Sequence, residues 1–347
     1  MKRRDGILAA LSGPLLGLIL PALLPAALAA QEEGYEFRLS NFSLEFYGGV
    51  CQVNPEDLNH HPIYEEAYLQ FYWVQYYNYL HSLYGDNFVV SSTRTGDATF
   101  QTIKRATPYG FRLRYQASPT LALTLGIQYL NGTQVSNVGM TFDIQDHRPG
   151  LPDSSAIRTA QYQNSGFTTQ AKAWMPELGA HFGWDLMTAL RWEISISFGP
   201  IFAQCRTLTQ RHSIITTTDG FQSDNGYAQE LKGSITGLGG ELGTGLFIRP
   251  MKHLRVFVEG GYIFRELGEL TGSGSSTTTY KDSNAVSNEA RSSWTGEWLL
   301  QVSDVTKSWG RFTSIYIQNQ STTIPGVRRF NPDLSGFQVK TGVGFNF

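Results

Sequence analysis

The stretch Ser335-Gly-Phe-Gln-Val-Lys-Thr-Gly-Val-Gly-Phe-Asn-Phe347 decides the reading of the chain. Phe337, Val339, Thr341, Val343, Phe345 and Phe347 fall on one side of a strand, and Gln338, Lys340, Gly342, Gly344 and Asn346 on the other. A period of two with a greasy face and a polar or glycine face fits a strand that has oil on one side only. A water-soluble sandwich alternates in the same way, so the rest of the chain must choose between the two.

The N-terminus points to export. Lys2, Arg3 and Arg4 precede an apolar run from Ile7 through Leu28, and Ala27-Leu-Ala-Ala30 supplies a small-residue cleavage pattern. Residues 1–30 are expected to be a cleaved signal peptide and 31–347 a single domain. Removing 1–30 leaves 24 basic against 28 acidic residues, a net charge of −4. No basic excess invites nucleic acid as a partner. After the signal no run reaches the ~20 apolar residues that a spanning helix needs. A β-barrel escapes that test, because only alternate residues face lipid. The 36 Gly, 17 Tyr, 21 Phe and 7 Trp suit aromatic girdles and closely packed strands.

Strand candidates recur upstream. Phe42 to Val50 places Phe42, Leu44, Phe46 and Val50 outward and Ser43, Glu45, Tyr47 and Cys51 inward. Three hairpins follow with short turns: 109–117 into 121–130 across Ser118-Pro119, 174–184 into 190–204 across Asp185 to Thr188, and 238–248 into 254–264 across Pro250 to His253. Polar stretches separate them. Short turns at one end and long loops at the other give a transmembrane antiparallel up-and-down β-barrel, with loops expected over 52–108, 131–166, 206–234 and 266–334. The first and last strands plus three hairpins make eight strands. Trp294–Val302 and Phe312–Gln318 also look strand-like; they form a hairpin above the membrane, or they enter the wall and make ten. The Gly/Ser/Thr run 271–279 is expected to be a flexible polar tip.

In the first loop, Ile63 to Gly85 carries acidic residues early and apolar ones at Leu69, Tyr72, Trp73, Tyr76, Leu80 and Leu83. That spacing predicts an amphipathic helix, with a strand as the competing reading. Tyr68, Tyr72, Trp73, Tyr76 and Tyr77 offer an aromatic surface for an external ligand, or for packing at the membrane interface. Arg328, Arg329, Lys281 and Arg291 could meet acidic groups of outer-membrane lipid and lipopolysaccharide.

The alternation turns Glu45, Arg112, Arg114, Glu177, His181, Arg191, Glu193, Glu241, Arg255, Glu259 and Lys340 inward. Both signs of charge sit on almost every strand. Facing lipid they would cost several kcal/mol each, whereas inside a narrow lumen they can pair. The expectation is a plugged, charged lumen; a narrow gated pore for ions or small solutes is the alternative. Adjacent His60-His61, near Asp57 and Glu65, lack the spacing that aims two ligands at one ion, so no metal and no cofactor is expected. No G-x-S-x-G or comparable nucleophile motif appears, and the chain is not expected to be an enzyme. Cys51 and Cys205 are read as two separate thiols.

The layout, with Phe46-Tyr-Gly-Gly49, Pro55-Glu-Asp-Leu-Asn59 and Asp333-Leu-Ser-Gly-Phe337, resembles the small outer-membrane barrels of the OmpA/OmpX-like superfamily. Pro176-Glu-Leu-Gly179 is more distantly similar to pore-forming major outer-membrane proteins. The resemblance implies a Gram-negative outer-membrane location and a non-enzymatic role in envelope structure or surface interaction. It also implies recognition of the last strand, through Phe337, Val339, Val343, Phe345 and Phe347, by the barrel-assembly machinery. No peptidoglycan-binding segment follows that strand, so the cell-wall anchoring of two-domain members is not implied.

Overall fold

The computed structural model describes residues 41–53, 55, 57–59, 88–96, 101–146, 158–218, 220–303, 312–318 and 327–347. The export signal, the helix expected in the first loop with its aromatic surface, and His60-His61 lie outside them. Every strand pairing described is antiparallel.

Eight strands carry the frame: β1 (Phe42–Gln52), β3 (Arg105–Gln116), β4 (Leu121–Asp146), β5 (Arg158–Met187), β6 (Leu190–Thr217), β7 (Gln222–Met251), β8 (Leu254–Leu267) and β13 (Gly336–Asn346). Their ladders run from β1 through β3, β4, β5, β6, β7 and β8 to β13, and β13 pairs back onto β1. The circuit leaves no free edge among these strands, so their backbone groups are satisfied within the sheet, the condition for crossing a medium without water. At one end the turns are tight. Ser118 Oγ accepts from the backbone N–H of Leu121 at 3.1 Å and Gln116 Nε2 donates to Ser118 O at 2.6 Å. Two-residue turns at 188–189 and 252–253 close the other hairpins.

The outward face of the ring is apolar over a constant length. On β5 it runs from Trp184 to Trp174, on β6 from Trp192 to Phe202, on β7 from Ile248 to Leu238 and on the last strand from Phe347 to Phe337, with the residue at each end exposed. Each run holds eleven residues, ten steps of about 3.3 Å, which makes about 33 Å along a strand and about 25 Å in height at the ~40° tilt usual for closed sheets. Aromatics edge the band. Trp184 stacks on Trp192 with centroids 5.3 Å apart at the short-turn edge, and Tyr109, Tyr129 and Trp174 contact in series (4.7 and 4.3 Å) at the other.

Beyond that second edge the sheet changes its membership. Five further strands join: β2 (Phe88–Gly96), β9 (Thr271–Asp282), β10 (Ser287–Ser303), β11 (Phe312–Gln318) and β12 (Val327–Arg329). The outer part of β4 pairs with β2, and the outer part of β7, Ser223 to Ser234, leaves β8 and pairs with β9. β9 pairs with β10, and β10 with β11 and β12. Neither β10 nor β11 pairs with a wall strand of the band.

This corrects the reading of the polar stretches. Most of 131–166 and 206–234, expected as loops, continues β4 to β7 as paired strand, and 271–279, expected as a flexible tip, is β9. The inward face of these extensions is buried but carries mostly small polar side chains, Ser136, Ser165, Thr207, Thr209 and Ser223, so the apolar alternation used to bound the strands vanishes although pairing continues. Thr-rich sequence favours strands in any case. In β9, Gly272 and Gly274 leave room for indoles: a Cβ on Gly274 would lie 2.4 Å from the ring of Trp294, and one on Gly272 2.6 Å from that of Trp298.

Candidate functional site: a closed interior

The eleven charged residues that the alternation turns inward all lie inside the ring, and none is more than 5% exposed. Histidine aside, they are five carboxylates and five cations. Arg112 donates from Nε to Glu45 Oε2 at 2.5 Å and from both Nη to Glu259 at 3.0 and 2.8 Å. Arg255 reaches the other oxygen of Glu45 at 3.0 Å. Arg114 grips Glu193 with two bonds of 2.8 and 2.6 Å, and Arg191 Nε adds a third to the same carboxylate at 2.8 Å. His181 Nδ1 lies 3.2 Å from Glu193 and 3.8 Å from Glu259, linking the two groups. Lys340 meets Glu241 at 2.7 Å and Glu259 at 3.8 Å. Glu177 takes hydroxyls instead, from Tyr47 at 3.2 Å and Ser197 at 2.9 Å.

Cross-strand register brings these partners together. Glu45 faces Arg112 on β3, and Lys340 faces Glu259 on β8. Aromatics fill the spaces between the ions. Phe247 and Phe257 stack at 5.3 Å, with the guanidinium of Arg112 5.0 Å from the Phe257 centroid and that of Arg114 5.5 Å from Phe247. Lys340 Nζ lies 4.9 Å from the Tyr47 ring. Paired this way, charges buried in a narrow interior avoid most of the desolvation cost that isolated ions would meet.

Above the ionic layer the interior turns apolar. Cys51, Leu130, Ala171, Ala173, Met175, Ile201, Ala203, Cys205, Leu231 and Ile235 line the wall there, and four segments outside the ring, at 57–59, 101–104, β10 and 330–334, close over them. Asn59 bonds both backbone groups of Ile103, each at 2.9 Å, and so joins the short helical turn at 57–59 to the irregular segment leading into β3. Asp57 accepts from the Arg328 guanidinium and from the backbone N–H of Asn331 at 2.7 Å. Trp298 and Phe330 meet edge to face at 5.3 Å, and the buried Arg265 donates to the carbonyl of Leu334. Leu58, Ile103, Phe330 and Leu334 are at most 1% exposed. Cys51 and Cys205 are free thiols buried in this one cluster.

Phe247, Phe257 and Arg265 occupy inward positions that the alternation reaches if it is followed along the whole of β7 and β8. The closing residues Leu58, Ile103, Phe330 and Leu334 carry no periodicity; Leu58 and Leu334 fall within the stretches Pro55–Asn59 and Asp333–Phe337 that carry the family resemblance, which assigns them no such role. Phe337, Val339, Val343, Phe345 and Phe347 all point outward into the apolar band. Of the cations expected at the surface, Arg328 pairs with Asp57, Arg329 with Glu269, and Arg291 with Glu289 at 2.5 Å. No group of three His, Cys, Asp or Glu side chains suited to a metal occurs among the described residues.

No family model matches the chain, and no curated protein matches it. Among solved structures it is similar to the outer membrane protease OmpT from Escherichia coli, at 10% identity over 90% of this chain and 99% of that one, with a TM-score of 0.25. The outer membrane protein OprG from Pseudomonas aeruginosa gives 11% identity over 88% and 95%, with a TM-score of 0.23. The translocator domain of the autotransporter NalP from Neisseria meningitidis gives 10% over 94% and 96%, with a TM-score of 0.17. Likeness at these TM-scores carries no argument about fold or activity, and the closed ring and its interior stand on their own geometry.

Proposed function

We propose that the chain is an exported, integral outer-membrane β-barrel of eight membrane strands. Its lumen is closed, and its polar outer sheet serves envelope structure or surface interaction rather than catalysis. The observation that carries this reading is the pairing of an apolar band about 25 Å high on the outside of a closed sheet with an ion-paired interior. That height fits a bilayer core, and a water-soluble sandwich has no reason to expose Leu, Trp and Phe in a belt of constant width. Membership of the OmpA/OmpX-like branch, and delivery through the assembly machinery by way of Phe337 to Phe347, belong to the same proposal and rest on sequence resemblance.

A small-solute channel is the competing reading. It must overcome two barriers in series, the apolar layer around Trp298 and Phe330 and the ion pairs centred on Glu193 and Glu259. Single-channel recording of the refolded protein in planar bilayers decides between them. Protein that shows the heat-modifiable gel mobility of a folded barrel is expected to be silent, both as wild type and as Trp298→Ala, which leaves the ionic layer intact. Steady, ion-selective openings from wild type, altered by Glu193→Ala, would overturn the closed lumen.

A further inference from the structure

The wall outside the ring changes chemistry abruptly where the apolar band ends, and it does so along hydrogen-bonded rows that cross five strands. The last apolar row holds Trp174 on β5 and Phe202 on β6, both about half exposed. One rung farther out, Lys172, Gln204, Ser234, Thr271 and Glu297 stand side by side across β5, β6, β7, β9 and β10. The next rung on the same face is Gln170, Arg206, Lys232, Ser273 and Thr295. A rung is about 7 Å along a strand, so on β5 and β6, where Trp174 and Phe202 mark the edge, the two rows stand roughly 5 and 10 Å above the hydrocarbon at a ~40° tilt. They line a groove of about 830 Å³ on the outer face.

The composition of this groove suits a phosphorylated sugar. Amides and hydroxyls can bond to sugar oxygens, and Lys172, Arg206 and Lys232 can meet phosphate. Two carboxylates share the area. Glu230 is bridged by Arg206 Nε at 2.6 Å and Lys232 Nζ at 2.8 Å, and these two cations hold its carboxyl below the usual range, so it stays ionised and fixes them in place. Glu297 stands at the far wall on β10, four strands from Lys172 along its own row and two strands from Lys232, which lies on β7 in the next row. Lys172 has no carboxylate partner among the described residues and sits directly above Trp174. The side chains of Arg206 and Lys232 remain 42% and 59% exposed, although they are held by Glu230.

We propose that this groove seats the phosphorylated glycolipid headgroup of the outer leaflet, with its acyl chains against Trp174 and Phe202 and its phosphate between Lys172, Arg206 and Lys232. The site deepens the outer-membrane reading and rests on it. It differs from the basic surface that the sequence suggests at Arg328, Arg329 and Arg291, where each cation is matched by a carboxylate of its own, because here Arg206 and Lys232 share the single carboxylate of Glu230 and Lys172 has none among the described residues.

The test uses the whole refolded protein in detergent micelles, titrated with bisphosphorylated lipid A and followed by native mass spectrometry. Three comparison ligands are lipid A stripped of its phosphates, phosphatidylglycerol and inorganic phosphate. Wild type is expected to prefer bisphosphorylated lipid A over all three. The triple variant Lys172→Gln, Arg206→Gln, Lys232→Gln is expected to bind it roughly tenfold or more weakly. A remote triple, Lys252→Gln, Lys281→Gln, Arg291→Gln, should stay within about twofold of wild type, and Lys172→Arg with Lys232→Arg should retain binding. Equal affinity in the first triple, when it is folded by gel mobility, would overturn the site. So would equal binding of dephosphorylated lipid A, of phosphatidylglycerol or of inorganic phosphate. Quenching by brominated lipids in vesicles, against a Phe reference at Trp174, Trp184 and Trp192, separates the levels of failure. If these tryptophans are not quenched, the membrane reading falls and the site falls with it. If they are quenched and the triple variant still binds normally, only the site is lost.

Discussion

Replacing Glu193 with glutamine tests whether the interior is dry. Its carboxylate takes both Nη groups of Arg114 and the Nε of Arg191, with His181 Nδ1 at 3.2 Å, and Arg114, Arg191 and Glu193 are each at most 3% exposed. Glutamine keeps the shape but removes the charge and turns an NH2 toward donors. Two guanidiniums then lose their principal anion together. Breaking a buried pair by removing one partner costs about 3–5 kcal/mol, so Glu193→Gln is expected to lose about 4 kcal/mol of unfolding free energy. Reversible urea unfolding in lipid vesicles, followed by tryptophan emission and by gel mobility, measures the loss. Pairing the change with Arg114→Met removes one orphaned cation and should recover about half of it, a coupling of roughly 2 kcal/mol in a double-mutant cycle. A loss below about 1 kcal/mol, with no coupling, would refute the reasoning, because only water entering the lumen could solvate the stranded guanidiniums so cheaply.

Three further outcomes follow from the same geometry. Leu242 lies near the middle of the apolar run of β7 and is 56% exposed, so Leu242→Arg should destabilise the vesicle-embedded protein by about 2–4 kcal/mol, whereas Ser234→Arg beyond the band should cost under about 1 kcal/mol; equal costs in the urea assay would remove the membrane from that face. At Gly199 a Cβ would lie 1.8 Å from the carbonyl oxygen of Pro176, where the β5–β6 ladder lapses between Trp174–Phe202 and Leu178–Phe198; Gly199→Ala should therefore cost about 1–3 kcal/mol in the same measurement, and a neutral result would mean that the two strands part there readily. Cys51 and Cys205 are at most 1% exposed and free, so maleimide should label neither in the folded protein and both in urea, as read by intact mass; fast labelling under native conditions would show that the apolar layer opens.

The sequence was most informative where one face of a strand meets a different medium from the other. Glu45, Arg112, Glu193 and Lys340 are legible because a charge every second residue, in phase with Phe or Leu on the opposite face, has few places to go. Arg265 falls one residue beyond the stretch 254–264 that the apolar alternation bounds, at the next inward position of β8. The extensions of β4 to β7 look like loops in the sequence because their buried inward face is built from Ser and Thr, such as Ser136, Ser165, Thr207 and Thr209, which leave no trace in hydropathy. The closing layer was illegible for another reason: Leu58, Ile103, Trp298 and Phe330 meet only after the ring exists, and their positions depend on bonds such as Asn59 to Ile103 that no local pattern encodes.

The pairing of β13 with β1 has a consequence for how the protein is made. Ser43 lies opposite Asn346, so the seam joins the first and last ends of the described chain, and no earlier portion can complete it. Closing so long a loop carries a large entropic cost, and topologies dominated by such distant contacts form slowly. Until the final residues arrive, β1 and every strand waiting at the growing end present unpaired backbone, an invitation to pair with the wrong neighbour. Truncation by even the last few residues is therefore expected to leave the chain capable of local hairpins but arrested before closure, as an aggregation-prone open sheet.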